Sequence, residues 1–197
     1  MAKLKNYIST MNSRDKELYK MLLNTCHANR DQLKNFISEA RVKNYMKQGI
    51  LEEIKNSRGT YYKLNEKGYK FMAKEFGQEN CKYHSTSAYH DEKLSAQYCK
   101  VYLESQTNNS SFQWKNEQDL KQEYKHTILE LRTHIEREYW DRAEKLELGS
   151  TVDSVIITES STYAFEIITE NYGKLEQEKD VYAEGLNVTL VKEYTYK

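Results

Sequence analysis

The sequence predicts an α+β fold in two parts: a basic N-terminal segment of short helices with one hairpin, then an acidic α/β sandwich. Three observations lead there. Apolar residues up to about position 76 recur at helical spacing, interrupted by one pair of β-rich runs. Between positions 152 and 196, β-branched and apolar runs alternate with turn-forming residues and one helical stretch. Finally, the formal net charge of zero over 197 residues hides a division. Residues 1–78 contain sixteen Lys/Arg and eight Asp/Glu, whereas residues 79–197 contain fourteen and twenty-two. A basic segment joined to an acidic one points to a polyanion-binding module with a partner module of opposite sign.

In the basic part, Ser13 is the expected N-cap of a helix that carries Leu18, Met21 and Leu22 and runs to about Thr25. Asn29 followed by Gln32 has the form of a capping box, opening a short helix with Leu33, Phe36 and Ile37 inward. Ser38 caps a third helix whose buried stripe is Val42, Tyr45 and Met46, and Gly49 supplies its left-handed C-cap. Leu51–Ile54 and Thr60–Leu64 are strands around the polar turn Lys55–Gly59. Asn65 then caps a helix carrying Tyr69, Phe71, Met72 and Phe76.

The run SEARVKNYMKQGILEEIKNSRGTYYKLNEKGYKFM, with its Gly-ended helix, charged hairpin and Leu-Asn-x-x-Gly, resembles the winged helix-turn-helix pattern. The expected domain is 1–78, followed by a connector with a helix over 79–110 and an acidic domain over 111–197. A helix of this kind fits the major groove of double-stranded DNA. On its exposed face Arg41 and Asn44 are the expected base readers, with Lys43 and Lys47 on phosphates. Lys55 and Arg58 at the hairpin tip are expected on the backbone or in the minor groove. Winged helices also dock proteins; the charge surplus favours DNA.

Cys81, His84, His90 and Cys99 have the spacing C-x2-H-x5-H-x8-C, which offers four zinc-type ligands but matches no zinc module. Cys99 also falls on the apolar stripe of a helix expected from Asp91 to about Leu103, so burial explains it and no metal is expected. The three cysteines suit reduced thiols, and the expected location is the cytoplasm. No apolar run is long enough to span a bilayer.

In the acidic part, Ser111–Trp114 is a candidate short strand, and Glu117 to about Leu146 is strongly helical. Val152–Thr158 and Tyr163–Ile168 are strands joined at Glu159–Thr162, Lys174–Glu184 is a helix, and Val188–Tyr196 is a closing strand. This order, with Glu117, Asp153 and Glu166 at its key points, resembles the PD-(D/E)xK nuclease core. The resemblance implies two carboxylates on Mg²⁺ and a Lys two residues after the second acid. That position is Ile168, so catalysis is not expected unless Lys174 or Lys179 supplies an amine from the helix.

The whole chain also resembles the replication-relaxation family of plasmids and other mobile elements. LNEKGYKFM, His84 and His90, Trp114 with Glu117, Val152-Asp153-Ser154-Val155, and Phe165-Glu166 through Lys179 and Tyr182 carry the likeness. It departs in having Val152-Asp153 where the family has Pro-Asp, and Glu166-Ile167-Ile168 where it has Glu-x-Asp. The likeness implies DNA binding in replication or transfer. The expectation is a non-catalytic, dimeric DNA-binding protein without cofactor. The alternatives are a Mg²⁺-dependent endonuclease using Glu117, Asp153 and Glu166, or an acidic half that docks or sequesters a protein.

Overall fold

In this computed structural model, residues 10–123, 151–169, 172 and 175–195 are described. The chain divides into two compact units, Met1–Leu103 and Glu104–Lys197. The charge division follows them: nineteen Lys/Arg against eleven Asp/Glu in the first, eleven against nineteen in the second.

The first unit is built in the order α1 (Ser13–Thr25), α2 (Arg30–Lys34), α3 (Glu39–Gln48), β1 (Leu51–Asn56), β2 (Gly59–Leu64), α4 (Glu66–Phe76) and α5 (Ala88–Asn108). Capping sets the boundaries. The cap of α1 is Asn12, one residue before the expected Ser13, because Asn12 and Asp15 form a reciprocal capping box. Asn29 and Gln32 make the same pair at α2. Ser38 accepts from the Arg41 N–H at α3, which ends at Gly49 in the left-handed region, φ 62°. The hairpin turn is tighter than expected. Asn56 pairs with Gly59, and the Asn56 side chain accepts from the N–H groups of Arg58 and Gly59 at 2.9 and 3.1 Å. Ala28 adds a one-residue bridge to Tyr62, so the loop after α1 joins the hairpin as a third edge.

Leu18, Met21, Leu33, Val42 and Tyr45 form a core closed by Leu51 and Met72. Asn65 ties the junction together. Its side chain caps α4 through Gly68 N–H at 2.7 Å and donates to Gly49 O at 2.7 Å. The Gly in Leu-Asn-x-x-Gly has a steric reason, since a Cβ at Gly68 would lie 2.0 Å from the Ile50 carbonyl oxygen.

The helix expected over Asp91–Leu103 extends to Ala88–Asn108, and its residues up to Leu103 belong to the first unit rather than to a connector. Tyr98 and Tyr102 flank Phe36, with centroids 6.5 and 4.7 Å away. Ser95 Oγ lies 2.6 Å from Thr25 Oγ1, and His27 Nδ1 lies 2.6 Å from Asp91 Oδ2. Burial works against the His27 charge, yet hydrogen bonds with Asp91 and Cys26 hold its pKa up at about 9.

The second unit holds one four-stranded sheet in the order β3 (Phe112–Asn116), β4 (Ser154–Thr158), β5 (Thr162–Ile168) and β6 (Thr189–Tyr194). The β3–β4 and β4–β5 pairs are antiparallel, and β5–β6 is parallel. A parallel pair requires a crossover, which α6 (Leu175–Gly185) supplies while packing on both strands. Ala164–Ile168 are all buried, as expected of an inner strand covered on both faces. Residues 117–123 are helical, and Asn116 caps them by accepting from Gln118 and Asp119 N–H. The expected helix over Glu117–Leu146 otherwise lies mostly outside the described residues. No helix among the described residues is long and apolar enough to cross a membrane.

Replacing Gly68 by Ala tests the close approach of α4 to Ile50. Because the clash is with backbone, Gly68→Ala is expected to cost about 2 kcal/mol or more in urea denaturation. A change below ~0.5 kcal/mol would contradict this packing.

Candidate nucleic-acid interface and a buried acid–lysine cluster

Two groups of sequence-predicted residues come to lie on the first unit's surface. Burial of Val42 and Tyr45 turns the opposite side of α3 outward, exposing Lys43 and Lys47 and leaving Asn44 half-exposed. Lys43 stands 3.6 Å from Glu39, but its side chain is still 64% exposed. Charge at such a site remains available to a polyanion, since exposed pairs of this kind are weak. At the hairpin, Lys55 pairs with Glu53 at 2.6 Å and Arg58 stacks over Tyr89 at 4.8 Å from the ring centroid. Both are exposed.

Arg41 departs from the expectation that it reads bases. Its guanidinium forms a fork with Asp15, Nε to Oδ1 at 2.6 Å and Nη2 to Oδ2 at 2.5 Å, and Nη2 also donates to Thr10 O at 2.8 Å. Asp15 is fully buried and accepts from Tyr45 Oη at 2.6 Å as well. The cause is electrostatic: a carboxylate out of water needs charged donors, and Arg41 is the residue of α3 that supplies one.

The four proposed zinc-type residues are not drawn together. Cys99 is buried beside Met21 Sδ and Gln32 O, each 3.8 Å away, and burial pushes its thiol up to about 11. His84 is exposed, Cys81 half-buried, and His90 sits beside Asp91.

In the second unit the structure does assemble Asp153 and Glu166. The β4–β5 pairing brings their backbones together, and each carboxylate takes an N–H from the other strand. Asp153 N–H donates to Glu166 Oε2 at 2.6 Å, and Ile167 N–H donates to Asp153 Oδ2 at 2.8 Å. Lys179, from α6, lies 3.1 Å from Glu166 Oε1 and donates to Thr151 O. Tyr172 Oη donates to Glu166 Oε1. An amine therefore reaches the acid although the strand carries Ile168 where a lysine was missing. Lys174 lies outside the described residues. Glu117 pairs with Lys121 at 2.6 Å, and its charge bears on Tyr172. Thr151 Oγ1 and Ser154 Oγ, on either side of Asp153 in sequence, are buried without a hydrogen-bond partner among the described residues.

Burial and the Asp153 charge push the Glu166 carboxyl up to about 7, against the pull of Lys179, Tyr172 and the Asp153 N–H. Burial, with Glu166 and Asp153 nearby, likewise pushes the Tyr172 phenol far up, so it stays a donor. Lys179 is one of the two helix lysines the sequence offered for this position, while Tyr172 carried no signal in the strand motif; the return from β5 to α6 delivers both.

Glu166 holds its proton above its ordinary value near 4.5, so stability from this group declines as pH rises from about 4.5 to about 7. Lys179→Met removes the facing cation, and its cost is expected to be larger at pH 8, about 3 kcal/mol, than at pH 5, where Glu166 is protonated. Urea denaturation at both pH values checks this; equal costs would contradict the pairing.

The chain matches no family model, no curated protein and no solved structure.

Proposed function

We propose that this protein binds double-stranded DNA through its N-terminal unit, acting as a winged helix-turn-helix. In this reading α3 enters the major groove and the β1–β2 turn lies along the backbone. The observation that carries it is the outward face of α3. Lys43, Asn44 and Lys47 project there, on a helix anchored by Val42 and Tyr45, in a unit with eight more basic than acidic residues. Lys43, Lys47, Lys55 and Arg58 are the phosphate contacts, and Asn44 is the base reader. Arg41 is a positioning residue, holding α3 through Asp15.

A single helix of this type gives modest specificity, so the protein acts as a dimer on a repeated or palindromic site. The acidic unit serves self-association or a partner protein. In this reading the activity serves replication, transfer or control of a mobile element, which is what the sequence's likeness to the replication-relaxation family implies.

The test is duplex binding by the full chain over a salt series. Four phosphate contacts give a slope of log Kobs against log salt of about −3 to −4. Lys43→Ala with Lys47→Ala is expected to flatten that slope by about 2 and weaken binding on every sequence alike. Absence of salt-dependent binding, or an unchanged slope in the double variant, would overturn the proposal.

A second reading, a metal-dependent endonuclease, is favoured by the Lys179 amine beside Glu166. Asp153 and Glu166 offer the oxygen donors that suit Mg²⁺. A bound ion would supply Lewis-acid stabilisation and an activated water. Lys179 and Tyr172 would hold Glu166 in place. Supercoiled plasmid incubated with Mg²⁺ or Mn²⁺ decides: nicking that is lost in Asp153→Asn supports this reading, and its absence removes it.

A further inference from the structure

One constellation in the first unit combines a thiol, an imidazole and a carboxylate. Cys26, His27 and Asp91 bring their ligand atoms within 4.8 Å of one another, the one such group of three or more among the described residues. They come from two elements, the C-cap of α1 and the first turn of α5. We propose that Cys26, His27 and Asp91 bind one zinc-class divalent cation, with water as the fourth ligand, and that the ion clamps α5 to the end of α1.

The donor set selects the metal. A thiolate and an imidazole suit zinc and its neighbours, while Mg²⁺ and Ca²⁺ take oxygen ligands. Donors around tetrahedral zinc stand roughly 3.3 to 3.8 Å apart, so closing this nest needs shifts on the order of 1 Å. His27 Nδ1 and Asp91 Oδ2, 2.6 Å apart, share a proton that the cation would replace.

The surroundings hold the donors in place. Cys26 N–H donates to Leu22 O at 3.1 Å, and Ser95 Oγ donates to His27 O at 2.7 Å while meeting Thr25 Oγ1. The other Asp91 oxygen, Oδ1, lies 3.4 Å from His90 Nδ1, an outer partner that orients the carboxylate. His27 and Asp91 are 4% and 0% exposed, whereas Cys26 is half-buried. That leaves one side of the nest toward solvent for a water ligand. The buried ion pair costs desolvation on its own, and a cation bound to both groups and the thiolate satisfies all three.

Titration of the untagged, full-length chain with Co²⁺ tests the proposal. The expected result is saturation at one equivalent, with a near-ultraviolet sulfur-to-cobalt band and the visible bands of a tetrahedral site, both displaced by zinc. Zinc is also expected to raise the melting temperature. Cys26→Ser is expected to abolish the sulfur band while Cys81→Ser keeps it, and Asp91→Asn is expected to weaken zinc about tenfold or more. Should Asp91→Asn fail to fold, the wild-type and Cys26→Ser titrations still decide. The absence of a sulfur band at one equivalent of Co²⁺, or its survival in Cys26→Ser, would overturn the site.

Discussion

The placement of α3 depends on one buried carboxylate. Asp15 has no exposure to water and is matched by the Arg41 fork, the Tyr45 hydroxyl and the Asn12 N–H. Removing one partner from such a group leaves charge or a donor stranded, at a cost of about 3 kcal/mol or more, so the match is made in full. Two of its partners sit on α3, four residues apart, and together they fix the rotation of that helix about its axis. The same rotation turns Lys43 and Lys47 outward. The surface proposed to meet DNA is thus a consequence of an electrostatic requirement in the core, and Arg41 is consumed in meeting it.

The second unit solves a similar problem with a different result. Asp153, just before β4, and Glu166, on β5, are joined through backbone N–H donors to their carboxylates, and both are buried. Their carboxyl groups are met by the Asp153 and Ile167 N–H groups, the Tyr172 phenol and the Lys179 amine. In the first unit the basic surplus lies on the surface; in the second the distinctive chemistry lies inside the sheet–helix layer. A surface cation set can bind a large anion as it stands. The inner cluster first has to admit a ligand.

Much of this was legible in the sequence because local rules set it. Asn29 with Gln32, Ser38 with Gly49, and Asn65 with Gly68 mark helix ends through capping that involves residues three to eleven apart. The β-branched runs of the acidic half became β4 and β5 within a few residues of their expected ends. What escaped was long-range. The Ala28–Tyr62 bridge, the Asp15–Arg41 fork and the Cys26–His27–Asp91 nest join residues 26 to 65 positions apart, whereas Lys179 was one of two helix lysines the sequence offered as the amine beside Glu166. A helical wheel showed Arg41 on the outer face of α3, but a long flexible side chain can fold back onto a buried acid, and the wheel carries no information about that acid. Spacing likewise suggested Cys81, His84, His90 and Cys99 as a set, whereas the cysteine nearest to His27 and Asp91 is Cys26.

The central claim is that α3 and the hairpin turn form the face that meets duplex DNA. Lysine-selective footprinting of the full chain, with and without a saturating duplex at moderate salt, addresses it directly. Protection of Lys43, Lys47 and Lys55, with Lys70 and Lys74 of α4 unchanged, is the result this account predicts. Protection confined to the second unit, or no protection on α3 while DNA is bound, would contradict it.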